Sequence, residues 1–106
     1  MTTFDKREEA FEKKFAVSEE LKFKAEARRN KLLGLWVAEK LGMSDDAAKV
    51  YAKEVVAADF DIAAGGAMRK VNIDLAAKGI AMPETQLRAR MDELMAQAVA
   101  QVTAGT

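Results

Sequence analysis

Apolar positions recur along this chain at helical spacing, and the stretch they mark before Ser18 differs from the rest. In residues 1–17 the stripe consists of Phe4, Phe11 and Phe15. At ~100° per helical residue, Phe11 and Phe15 fall about 20° either side of Phe4. The remaining faces are charged, with Asp5, Lys6, Arg7, Glu8, Glu9, Glu12, Lys13 and Lys14. Thr2 and Asp5 form a loose capping box at the start. Anchors at i, i+7 and i+11 are the pattern of a helix that lies in another protein's groove.

Four more helices are predicted. The first opens at Ser18, a good N-cap, with Glu19 and Glu20 in its first turn, and it runs to Leu41 before Gly42. Its apolar set is Leu21, Ala25, Leu32, Leu33, Trp36 and Val37. Ser44 caps the second, which carries Asp45 and Asp46 in its first turn. It runs to about Asp59 with Ala47, Tyr51, Val55 and Ala58 on one face. Residues 62–67 contain Gly65-Gly66 and read as a loop. A short third helix over 68–78 offers Met68, Val71 and Leu75, and Gly79 ends it. Pro83 suits the first position of the last helix. That helix runs to about Val102 with Leu87, Met91, Leu94, Ala98 and Val102 at bundle spacing.

A length argument separates the opening segment from the rest. A single straight helix from Phe4 to Leu41 would be about 57 Å long, against a radius of gyration near 13 Å for a globule of this size. The stripe also changes face, since Leu21, Leu32 and Trp36 centre about 80° from the phenylalanine line. Residues 1–17 are therefore expected to protrude as a mobile arm, and residues 18–106 to form a four-helix globular domain. The predicted fold is all-α, a four-helix bundle-like domain with a protruding N-terminal arm. Composition agrees: half the residues are hydrophobic, aromatics are few, and there is one proline among 106 residues.

Charge and residue content then narrow the chemistry. The 17 acidic and 17 basic residues cancel, so no global field draws nucleic acid or anionic lipid. Cysteine and histidine are both absent, which removes the thiolate nucleophile, the commonest general base and the commonest metal ligands. The carboxylates lie in charged runs that read as solvated helix faces. Gly65-Gly66 lacks the flanking strand and spacing of a phosphate loop. No catalytic residue, metal or cofactor is expected, and no signal peptide or membrane span is visible. Lys24, Arg28 and Lys31 share a face with Arg29 adjacent, and form the one candidate basic patch. The plainer reading of that patch is ion pairing with Glu20 and Glu26. Trp36 and Tyr51 are expected in the core.

The run Phe23-Lys24-Ala25-Glu26-Ala27-Arg28-Arg29-Asn30-Lys31-Leu32-Leu33-Gly34-Leu35-Trp36, followed by Ala38-Glu39-Lys40-Leu41-Gly42, resembles the signature of the alphaproteobacterial ATPase inhibitor called the zeta subunit. The opening Met1-Thr2-Thr3-Phe4-Asp5, the stretch Lys14-Phe15-Ala16, and Tyr51-Ala52-Lys53-Glu54-Val55-Val56-Ala57-Ala58-Asp59 follow the same pattern. The resemblance implies a four-helix protein that binds the catalytic head of the rotary ATP synthase. It implies an N-terminal arm wedged into a catalytic α/β interface and reaching toward the rotor subunit γ, blocking hydrolysis far more than synthesis. Phe4, Arg7, Glu8, Phe11, Glu12, Lys14 and Phe15 then fall in the inhibitory stretch, and the globular helices serve as an anchor outside the head. The same resemblance implies a bacterial, cytoplasmic protein, monomeric when free and peripheral to the inner membrane through the synthase. Three departures stand out. Lys6 and Val17 replace an acid and a histidine of the pattern, and 62–67 replaces a typically acidic loop.

Two rival readings come from other classes. One is a helical nucleic-acid-binding or general interaction module using Lys24, Arg28, Arg29 and Lys31. Zero net charge and the lack of interleaved aromatics count against it. The other is an enzyme or small-ligand carrier with a site inside the bundle, which the missing histidine and cysteine disfavour.

Overall fold

The computed structural model describes residues 19–105. It contains helices α1 (Glu19–Lys40), α2 (Asp45–Ala58), α3 (Gly66–Ala77) and α4 (Glu84–Thr103), with a 3₁₀ turn at Ile62–Ala64. The fold is all-α, as the periodicity predicts, with four α-helices and no strand among the described residues. The cap expected at Ser18 lies outside them, as does the opening segment.

Helix α1 is the centre of the arrangement. It packs against α2 and α4 along most of its length and touches α3, which rests mainly on α2. The core is filled by Leu33, Val37 and Ala38 of α1, Tyr51 and Val55 of α2, Val71 and Leu75 of α3, and Leu87 and Leu94 of α4. Small residues set the α1–α2 crossing. A Cβ placed on Gly34 would stand 2.6 Å from the Cα of Ala52, so the two backbones are closer there than any larger residue permits.

Two helix ends are built alike. Gly42 and Gly79 take φ of +82° and +72°, which glycine adopts without a Cβ penalty. The Met43 amide donates to the Ala38 carbonyl and the Gly42 amide to that of Glu39. Ile80 donates to Leu75, and Gly79 to Ala76, in the same pattern. These are Schellman caps, which satisfy the last carbonyls of α1 and α3.

Several local expectations need correction. Helix α1 ends at Lys40, and Leu41 belongs to the turn. Ser44 does precede α2, but its side chain makes no cap bond, and Asp45 enters the helix with φ +50°. On α2, Ala47 is exposed, and Ala48 packs against the core in its place. The stretch 62–67 is no loop: it makes a 3₁₀ turn and then starts α3 at Gly66, two residues before Met68. Side chains allow this early start. Asp61 caps the 3₁₀ turn by accepting from the Ala64 amide at 3.1 Å, and Asp59 accepts at 3.2 Å from the Ala67 amide, a first-turn donor of α3 with no acceptor inside the helix. Pro83 is the N-cap of α4 rather than its first residue, and its carbonyl accepts the first helical bond, from Leu87 at 3.0 Å. Trp36 is half-buried against the core rather than within it.

Candidate functional site

The arm residues singled out above, Phe4, Arg7, Glu8, Phe11, Glu12, Lys14 and Phe15, lie outside the described residues. The basic face lies on α1, and its four members have different surroundings. Lys24 pairs with Glu20 at 3.3 Å, one turn away, with both side chains mostly in water. Such an exposed pair holds little free energy. Arg28 reaches across to α4, where its Nη1 donates to Gln101 Oε1 at 2.9 Å. Arg29 turns the other way. Its Nε donates to Asn30 Oδ1 at 3.1 Å, and its Nη2 stands 3.7 Å from Asp59 Oδ2. Lys31 is exposed. Two of the four cations therefore hold α1 to its neighbours. The partners are Gln101 and Asp59, where the sequence suggested Glu26.

The buried polar centre beside Arg29 is Asn30, the one buried polar side chain among the described residues. Its Nδ2 donates to Asp59 Oδ2 at 2.9 Å. The other oxygen of the same carboxylate accepts from the Ala67 amide near the start of α3. Asp59 thus ties α1, the end of α2 and the start of α3 together. A second polar tie joins α2 to α3: the Tyr51 hydroxyl donates to Asp74 Oδ2 at 2.7 Å, and Lys70 approaches the same oxygen at 3.0 Å. Burial, then the Asp74 carboxylate, push the Tyr51 hydroxyl well above its ordinary range. It stays a neutral donor and is no candidate for proton transfer.

Two cations lie close to the Trp36 ring. Lys40 Nζ lies 4.6 Å and the Arg90 guanidinium 5.2 Å from its ring. Arg90 is in turn paired with Glu93 at 2.8 Å. Most of the run from Arg28 to Trp36 is accounted for by packing: Arg28, Arg29 and Asn30 bond across helices, Leu33 fills the core, and Gly34 sets a crossing. What packing leaves on the surface is a shallow open groove of about 490 Å³. Its lining includes Phe23, Lys24, Ala27, Arg28, Lys31 and Val56. The apolar stripe of α1 gave no sign of Phe23 as a surface residue. The one available signal was a large ring flanked by Lys22 and Lys24, off the core-facing line.

Among the described residues, no group of three or more carboxylates is placed to hold a metal ion, and no helix is long and apolar enough to cross a membrane.

Comparison with known proteins adds three findings. No curated protein sequence matches the chain significantly. A protein solved by solution NMR is similar at 54% identity with a TM-score of 0.69, covering 81% of this chain and 99% of that one. The family model described as ATPase inhibitor subunit zeta matches residues 1–101, so the match takes in the phenylalanine segment, α1 to α3 and all but the last two residues of α4. The chain belongs to the ATPase inhibitor subunit zeta family.

Proposed function

We propose that this protein inhibits ATP hydrolysis by inserting residues 1–17, as a helix, into a catalytic α/β interface of the ATP synthase head. There the helix blocks rotation in the hydrolytic direction. The observation that carries this reading is the extent of the family match, which begins at Met1 and so includes the whole Phe4-Phe11-Phe15 stripe. The described helices support it from the other side, because Arg28 and Arg29 of the rival basic surface are engaged within the fold.

The mechanism is mechanical. Burying the three rings returns about 1.5–3 kcal/mol each, which must exceed the entropy of ordering the segment, at ~1–2 kcal/mol per backbone residue before helix hydrogen bonds offset it. Arg7, Glu8, Glu12 and Lys14 flank the stripe and select register and partner. The α, β and γ subunits are the surfaces the arm meets, and residues 18–106 anchor it outside the head. The protein acts as a monomer, without cofactor, on the cytoplasmic side of the inner membrane where the synthase resides.

The test is ATP hydrolysis by the isolated catalytic head, titrated with the full chain and with a version lacking residues 1–17. The full chain inhibits and the shortened one does not. Equal inhibition by both would move the function to the globular helices.

A further inference from the structure

Neither described phenylalanine is in the core. Phe23 is 57% exposed and Phe60 is 69% exposed. Their rings meet each other at 6.2 Å between centroids, tilted by 40°. Phe23 comes from α1 and Phe60 from the turn after α2, so two elements present one aromatic ridge. Val56 and Ala27 lie beneath it. Lys24, Arg28 and Lys31 line the groove on one side, and Glu26 lies on the Phe60 side. Two tilted rings in contact with each other and each more than half exposed form an apolar patch of the kind that marks an interaction surface.

Its position says which partner. Phe23 is one helical turn beyond Glu19, about 6 Å along α1. Whatever receives the segment before Ser18 therefore has its edge beside Phe23. We infer that the Phe23–Phe60 ridge, with Lys24 and Lys31 beside it, docks on the ATPase head at the mouth of the cleft that receives the arm. This inference rests on the arm reading proposed above. The complementary surface is apolar with carboxylates at its margin. Lys24 is available to such carboxylates because its pair with Glu20 is exposed and weak.

The ridge then acts as a latch. The arm supplies the block, and the ridge slows departure of the whole inhibitor once the arm is seated. Interface anchors of this kind act mainly on dissociation.

The experiment measures binding of the full chain to the isolated catalytic head by surface plasmon resonance, with a hydrolysis titration in parallel. The variants are Phe23→Ser with Phe60→Ser, Lys31→Glu, Phe11→Ala, and Val50→Ser as an exposed control elsewhere on α2. Circular dichroism melts confirm that each folds, as expected for exposed positions. The double variant should dissociate roughly tenfold faster, the effect of losing one apolar anchor cluster, yet inhibit fully at saturation. Lys31→Glu should weaken binding by an amount that shrinks as salt is raised. Val50→Ser should match the unaltered protein. A double variant with an unaltered off-rate, while Phe11→Ala binds poorly, would overturn the latch and leave the arm reading standing. Unaltered binding by Phe11→Ala would overturn the arm reading, and the placement of the ridge at the cleft mouth with it. A free protein that sediments as a dimer, and as a monomer only in the double variant, with inhibition unchanged, would assign the ridge to a second copy instead.

Discussion

The side chain of Asn30 donates to that of Asp59 at 2.9 Å, across 29 positions of sequence. Asn30 is only 2% exposed, so this bond satisfies a polar group that water cannot reach. The same carboxylate caps α3 through the Ala67 amide and faces Arg29. One acidic residue at the end of α2 therefore fixes both where α3 begins and how α1 sits beneath it.

Asp59→Ala should lower stability by about 2–3 kcal/mol, because it strands a buried amide and removes a helix-start acceptor together. Asn30→Asp, nearly isosteric, should cost at least as much by setting two carboxylates at hydrogen-bond distance. Urea unfolding followed by circular dichroism measures both. A change under about 0.5 kcal/mol for Asp59→Ala, the range of ordinary surface substitutions, would show that the tie is dispensable.

Gly34→Ala presents two opposed effects. Alanine in a helix interior gains about 1 kcal/mol over glycine. Against this, the new Cβ would meet the Ala52 backbone at 2.6 Å, and backbone cannot swing aside as a side chain can. Overpacking of this kind costs about 1–3 kcal/mol. The clash should win, and the melting temperature should fall. A rise would mean that the α1–α2 crossing slides freely.

Trp36→Ala should destabilise by about 2 kcal/mol, below the roughly 3–5 kcal/mol of a fully buried aromatic, because the ring is only half-buried. Part of that loss belongs to the Lys40 and Arg90 contacts, which Trp36→Leu would also remove. Trp36 is the only tryptophan, so its fluorescence reports the site directly. Arg90→Gln should shift that emission without unfolding the protein.

Tyr51 gives the protein an alkaline limit. Its hydroxyl has an ordinary value of 10.0 and is raised in the folded state by burial and by Asp74. Below pH 10 it is neutral in both states, and the bond to Asp74 is intact. As pH rises past that point the unfolded chain releases the proton and the folded one keeps it. Stability then falls, by up to about 1.4 kcal/mol per pH unit, until the folded value is passed. Tyr51→Phe should cost about 1–2 kcal/mol at neutral pH through the lost bond. It should also flatten the decline between pH 10 and 11 relative to the unaltered protein. Parallel declines would show that the hydroxyl does not titrate differently on folding.

The helices were legible because periodicity and caps are local. Leu33, Val37, Val55, Val71, Leu75, Leu87 and Leu94 lie where the stripes put them, and Gly42 and Gly79 stop their helices as expected. The features missed depend on residues distant in sequence. Nothing near Gly34 announces that Ala52 will approach its backbone. The early start of α3 at Gly66 depends on Asp59, seven residues upstream, and Asp59 is held by Asn30. The basic face could be read as a patch, but Arg28 and Arg29 find Gln101 and Asp59 only once the helices are assembled. Phe23 and Phe60 meet for the same reason, one on each side of the α1–α2 hairpin.

We propose that the phenylalanine stripe before Ser18 is the inhibitory wedge. The most direct measurement is ATP hydrolysis by the isolated catalytic head, titrated with Phe11→Ala, Phe15→Ala and the control Lys13→Ala, which sits off the stripe. Circular dichroism confirms that each variant stays folded. Each phenylalanine variant should need a substantially higher concentration for half-inhibition, reflecting a loss on the order of 2 kcal/mol of binding per anchor ring. Lys13→Ala should stay close to the unaltered protein. Equal potency for all three and the unaltered chain would show that the stripe is not the inhibitory wedge.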